Sequence, residues 1–155
     1  MDAIVTWNKG LSFTGTANSG FKIQLGADKD VGGDDDGFRP LELMALSLAG
    51  CTGMDVISIL LKKREVITAF EVKVHHGRAE QYPKVFTDAV LEFHVTGHGI
   101  KENSVLRSIE LSSEIYCPAQ AMLSQIMPIE IKYFIYEDLG EDIRTLVSTG
   151  VYKSN

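Results

Sequence analysis

Cysteine is nearly absent from this chain. Of its 155 residues two are cysteines, four are prolines and one is tryptophan, and no run of like charge is longer than Asp34-Asp35-Asp36. Basic residues are also in deficit, 15 against 21 acidic ones, for a formal charge of −6. That balance argues against a nucleic-acid partner, since phosphate contacts need a basic surface. The start, MDAIVTWNKG, lacks both a basic segment and an apolar h-region, so no secretory leader is expected. A reducing cytoplasm follows as the expected setting, where two thiols are catalytic, redox-active or inert rather than a structural staple.

Metal spacing is missing too. No Cys-x-x-Cys or His-Glu-x-x-His pattern occurs, His75 and His76 are neighbours on opposite faces of a strand, and His94 and His98 straddle a strand end. Asp34-Asp35-Asp36-Gly37 has neither the alternating ligands nor the closing glutamate of a calcium loop. Gly32 and Gly33 precede no P-loop Lys-Ser/Thr pair. No metal and no cofactor are expected.

The chain does have a long apolar run, PLELMALSLAGCTGMDVISILL, at 40–61. Its length suits a bilayer span of about 20 residues, yet Glu42 and Asp55 lie inside it and would be costly in hydrocarbon. A buried helix to about Lys63 is the better reading. Pro40 has no N–H to lose in a first turn, and Lys62-Lys63-Arg64 places positive charge at the C-terminus.

Strands are predicted at 4–7, 11–17 and 21–25 before this helix. Two more follow at 70–76 and 85–96, where the core faces are Phe70, Val72 and Val74, and then Val85, Thr87, Ala89, Leu91, Phe93 and Val95, in alternation with outward residues. Asp88, Glu92 and His94 are assigned to the wet face. Helices are predicted at 102–115, with Val105, Ile109 and Ser112 on one stripe, and at 118–126, opened by Pro118. A last strand at 129–136 closes the sheet. The layout is α+β in one domain, 1–155, with a core of about 1–136 and an unassigned tail, 137–155. The long helix is apolar nearly all round, so a second copy of the chain is expected to cover part of it.

The two thiols sit in contrasting surroundings. Cys51 lies between Gly50 and Gly53, small residues that let another backbone approach, and shares a helix face with Ser47, Leu48, Met54 and Asp55. Apolar neighbours and a carboxylate disfavour a thiolate there. Cys117, in Tyr116-Cys117-Pro118, is at the expected N-cap of a helix, where free N–H groups favour an anion. Local chemistry therefore makes Cys117 the more acidic thiol. Spacing leaves open whether the two meet, since a disulfide needs Cα atoms within about 7 Å.

The phrase P-x-E-L-x-x-x-x-L-A-G-C-T-x-x-D-V from Pro40 to Val56, with Tyr116-Cys117-Pro118 downstream, resembles the OsmC/Ohr family of osmotically inducible and organic hydroperoxide resistance proteins. The likeness covers about residues 1–136 and is greatest to a branch with Ala-Gly-Cys-Thr in its helix. It implies an OsmC-like fold, with antiparallel sheets wrapped around a long central helix, in an intertwined homodimer. It also implies a thiol-dependent peroxidase. Cys51 would attack an organic hydroperoxide and become a sulfenic acid, and Cys117 would condense with it to a disulfide that a thiol or lipoyl reductant reopens. On this reading Cys51, not Cys117, reacts first.

The family also uses an arginine and a glutamate to activate the first thiol. In this chain the residue after the proline is Leu41, and the nearest candidates are Glu42 and Arg39. Nine positions at about 100° each set Glu42 opposite Cys51 on the helix. Arg39 is about 18 Å from Cys51 along a continuous helix at about 1.5 Å per residue. An ion pair between Arg39 and Glu42 is the plainer expectation. The alternative function is a non-catalytic binding protein that takes a small hydrophobic ligand in the dimer cleft, with both thiols idle.

Overall fold

The computed structural model describes residues 2–153. The chain divides into two compact units, Met1–Leu46 and Ser47–Asn155.

In the first unit, β1 (Ala3–Lys9), β2 (Ser12–Ala17) and β3 (Lys22–Leu25) form an antiparallel meander in that order. Gly10 at φ 48° and Gly20 at φ 81° make the two turns, a backbone region that L side chains rarely adopt. β1 buries none of its side chains; Ile4, Val5 and Trp7 are each at least 60% exposed. The loop after β3 contains a short 3-10 turn, Lys29–Val31, and ends where α1 (Pro40–Lys62) begins. α1 continues into the second unit.

There, Leu48, Thr52, Val56 and Leu60 form the buried stripe of α1, each four residues on from the last. Gly53 lets the helix lie close on β4 (Val66–Arg78): a Cβ at that position would be 3.1 Å from Val72 Cγ2. β4 pairs antiparallel with β5 (Phe86–His98), whose Ala89, Leu91, Phe93 and Val95 fill the core. α2 (Glu102–Leu111) adds Val105 and Ile109 to the same cluster. Phe93 is 1% exposed at the centre of it, so Phe93→Ala should cost about 3–5 kcal/mol in urea unfolding.

Three expectations are corrected here. The sheet is mixed, because β5 and β6 (Ile129–Asp138) are parallel. Parallel neighbours need a long crossover, and α2 with α3 (Pro118–Leu123) supplies it. The helix read as 102–115 ends at Leu111 and widens into a π-helical turn, Ser112–Tyr116. The tail left unassigned is a strand, β7 (Arg144–Tyr152), on the edge of the sheet order β4-β5-β6-β7. Its turn runs through Gly140, Glu141 and Asp142, all at positive φ.

β7 also braces the helical segment. Glu102 at the start of α2 accepts from Ser148 Oγ at 2.6 Å and Tyr133 Oη at 2.7 Å, and those bonds, Ser148 first, hold its carboxyl below the usual range. Tyr152 Oη donates to Glu114 in the π-turn at 2.9 Å. Val85 and Thr87, assigned to the core face, are exposed because they lie just before and at the start of β5, whereas His94, assigned to the wet face, is only 7% exposed. Its ring stacks on Phe134 at 4.6 Å, and Nδ1 is 3.1 Å from Tyr136 Oη.

Candidate active site

The π-turn delivers Cys117 to α1. Widening the helix by one residue replaces the usual bond with Cys117 N–H donating to Ser112 C=O at 2.9 Å. Such π-segments recur at functional sites. The hydroxyl of the same Ser112, which is 1% exposed, donates to Asp55 Oδ2 at 3.1 Å. Asp55 is one helical turn beyond Cys51. Ser112 thus ties the Cys117 backbone to the Cys51 face of α1 through one residue.

The two cysteines are close enough within one chain for Cys51 to help raise the Cys117 thiol, and both are free. Cys51 is half-buried, whereas Cys117 is 2% exposed. Gly50 and Gly53 do not produce this approach: Gly53 faces β4, and a Cβ on Gly50 would touch nothing within 4 Å.

Cys117 is the N-cap of α3, and its Sγ accepts the Gln120 N–H at 3.3 Å. The local argument for an acidic Cys117 nevertheless fails. Burial, and next its hydrogen bond with Cys51, push the Cys117 thiol up from 9.0 to about 12. The N–H groups of Gln120 and Ala119 pull the other way and are outweighed. Desolvation of a nearly inaccessible sulfur beats a six-residue helix end. Cys117 therefore keeps its proton at neutral pH.

This has a consequence for stability. Cys117 is released to ionise near 9 in the unfolded chain but near 12 in the folded one. Between those values the unfolded state holds fewer protons, so stability falls as pH rises. Cys117→Ser should remove one proton's worth of that slope between about pH 9 and 12, measured by urea midpoints across the range.

Arg39 and Glu42 belong to the first unit, and they do not form the expected ion pair. The Arg39 guanidinium donates to Asp28 through Nε at 3.0 Å, to Asp35, and to the Gly37 carbonyl at 3.1 Å. The Asp28 hydrogen bond leads in holding the guanidinium pKa above its ordinary value. Glu42 accepts the Arg39 backbone N–H at 2.9 Å instead. It is the third residue of the helix, the position from which a carboxylate reaches back to the cap. The carboxylates of the preceding loop take the guanidinium.

Asp55 was read only as a neighbour of Cys51, and Ser112 only as part of a buried stripe; Gln120 went unnoticed. Cys-Pro-Ala-Gln has the spacing of a capping box with sulfur in place of hydroxyl oxygen, and that was the available signal.

Residues 33–132 match the family model described as OsmC-like protein. The chain is 37% identical to protein YhfA of Escherichia coli over 133 residues, 86% of this chain and 96% of that one. Among solved structures it is similar to an OsmC-like protein from Mycoplasma pneumoniae, at TM-score 0.73 and 20% identity over 86% of this chain and 95% of that one. It is also similar to an organic hydroperoxide resistance protein from Legionella pneumophila, at TM-score 0.61 and 15% identity over 87% and 96%. The chain belongs to the OsmC family.

Proposed function

We propose that this protein is a two-thiol peroxidase that reduces organic hydroperoxides. The observation that carries the reading is the proximity of the chain's only two cysteines, near enough that Cys51 adds to the burial that raises the Cys117 thiol. Cys51 as thiolate attacks the terminal peroxide oxygen. The O–O bond breaks, the alkoxide leaves and takes a proton to become an alcohol, and Cys51 becomes a sulfenic acid. Cys117 then loses its proton and attacks the Cys51 sulfur. Hydroxide departs as water, and a Cys51–Cys117 disulfide remains. A cytoplasmic dithiol, of the lipoyl class or a small thiol, returns two electrons and two protons. The family's hydroperoxide-resistance relatives support the substrate class.

The working unit in this proposal is a homodimer. Ile4, Val5 and Trp7 on β1, and Met54 and Leu61 on α1, are large apolar side chains left more than half exposed in a single chain. A second copy covering them would also exclude water from the Cys51 face and favour alkyl over hydrogen peroxide.

The test is the rate at which reduced protein consumes cumene hydroperoxide. Consumption well above that of free cysteine is expected. A rate equal to free cysteine removes the enzyme reading and leaves the idle-thiol binding protein.

A further inference from the structure

The place of Cys117 depends on a backbone register that its own segment does little to hold. The Ser112 N–H still bonds in the manner of α2, to the carbonyls of Ser108 and Ile109. Five residues on, the Cys117 N–H reaches back to Ser112 C=O at 2.9 Å, the wider π spacing. An ordinary α-helical bond would run to Ser113 instead. Removing the extra residue would turn whatever follows by about 100° around the helix axis, and Cys117 with it. Ile115 and Tyr116 are both more than half exposed, so apolar packing within the chain anchors the turn weakly. Polar ties reach it from two sides. Ser112 Oγ donates to Asp55 on α1 at 3.1 Å, and Tyr152 Oη, on β7, donates to Glu114 at 2.9 Å. Tyr152 is half-buried, and burial, then the bond to Glu114, push its phenol up to about 12, so it keeps a hydrogen to donate.

We propose that Tyr152 is a positioning residue for the second thiol: by holding Glu114, its hydroxyl keeps Ser112–Tyr116 in the π register that sets Cys117 beside Cys51. The inference rests on the two-thiol reading and adds to it the last strand of the sheet. β7 lies beyond residues 33–132, the stretch shared with the family model. Its inward side chains meet the helical crossover twice, at Glu102 through Ser148 and at Glu114 through Tyr152. The first contact fixes where α2 begins, and the second fixes the turn that follows its end. Closure of a disulfide is more sensitive to that placement than attack by Cys51 on a diffusing peroxide, because both sulfurs must be brought to bonding distance.

The test compares wild type with Tyr152→Phe, which removes only the hydroxyl. Each protein is equilibrated with mixtures of reduced and oxidised glutathione, and the Cys51–Cys117 disulfide is read by intact mass after alkylation. Each disulfide formed turns one oxidised glutathione into two reduced ones, so the midpoint gives an equilibrium constant. That constant is expected to be about fivefold lower in Tyr152→Phe, the worth of one ordinary hydrogen bond. Glu114→Leu should lower it at least as much, and adding Tyr152→Phe to Glu114→Leu should lower it no further, since the contact is already gone. The first attack is the control. With Cys117→Ser as background, one equivalent of cumene hydroperoxide should be consumed at the same rate with or without Tyr152→Phe. Equal glutathione constants overturn the proposal, as does a wild type that forms no disulfide in any mixture. An equal slowing of the first attack also overturns it, marking a general loosening of the fold. Wild type that consumes peroxide no faster than free cysteine is a separate failure, that of the peroxidase reading, and the glutathione midpoints still decide the role of Tyr152.

Discussion

Replacing Cys51 by serine is expected to bring hydroperoxide consumption down to that of buffer alone, with the fold intact. The fold is preserved because Cys51 is only half-buried, and serine is close in size and polar. Activity is lost because the serine hydroxyl is a poor nucleophile at neutral pH, and the one sulfur left is the wrong one. Cys117 is 2% exposed, and its thiol is pushed up to about 12. Burial, the leading cause, remains in the variant and still holds that thiol above its ordinary value, so little of it is thiolate at pH 7. Consumption is followed by the loss of cumene hydroperoxide with time. Activity in Cys51→Ser comparable to wild type reassigns the first attack to Cys117 and contradicts the order proposed here.

Replacing Cys117 by serine should have an equally large effect of another kind. The first turnover survives, since Cys51 is intact and serine is close to cysteine in size and keeps a hydroxyl in place of the thiol. The second step does not, because no sulfur is left to displace hydroxide from the sulfenic acid. Intact-mass measurement after one equivalent of peroxide should show one added oxygen on Cys51. Excess peroxide should add a second as the sulfinic acid forms, which thiols do not reverse. Turnover supported by a dithiol then stops after few cycles. In the proposed cycle the Cys117 thiol intercepts the sulfenic acid before that happens. Over-oxidation at the same rate in both proteins rules out a resolving role for Cys117.

Much of this architecture is legible in the sequence where local pattern decides it. The apolar run after Pro40 gives α1 its length, and the observed helix ends within a residue of the expected one. Alternation in Phe70, Val72 and Val74 and in Leu91, Phe93 and Val95 identifies the core faces of β4 and β5. What was missed is decided at a distance. Parallel pairing of β5 with β6 depends on the crossover, not on either strand's own residues. β7 hides behind a turn at positive φ, and its use is to hold Glu102 and Glu114 through Ser148 and Tyr152. His94 is covered by Phe134 on the next strand, a contact no alternation pattern encodes.

The site follows the same division. Both cysteines were found from their flanking residues, yet the acidity assigned to Cys117 used only its helix end. Tertiary burial, with Cys51 nearby, outweighs that helix end and raises the Cys117 thiol instead. Arg39 was expected to bind Glu42, but loop folding brings Asp28 and Asp35 to its guanidinium. Ser112, which joins the π-turn to Asp55, was legible as buried but not as a clamp, because its partner is 57 residues away in sequence.

Peptide mapping of the reduced protein after one equivalent of cumene hydroperoxide tests the two-sulfur cycle most directly. The account requires both thiols to disappear together and a Cys51–Cys117 cross-link to form within a single chain, reopened by dithiol. Two thiols that remain titratable after the peroxide has been offered, or a cross-link running only between chains, would contradict it.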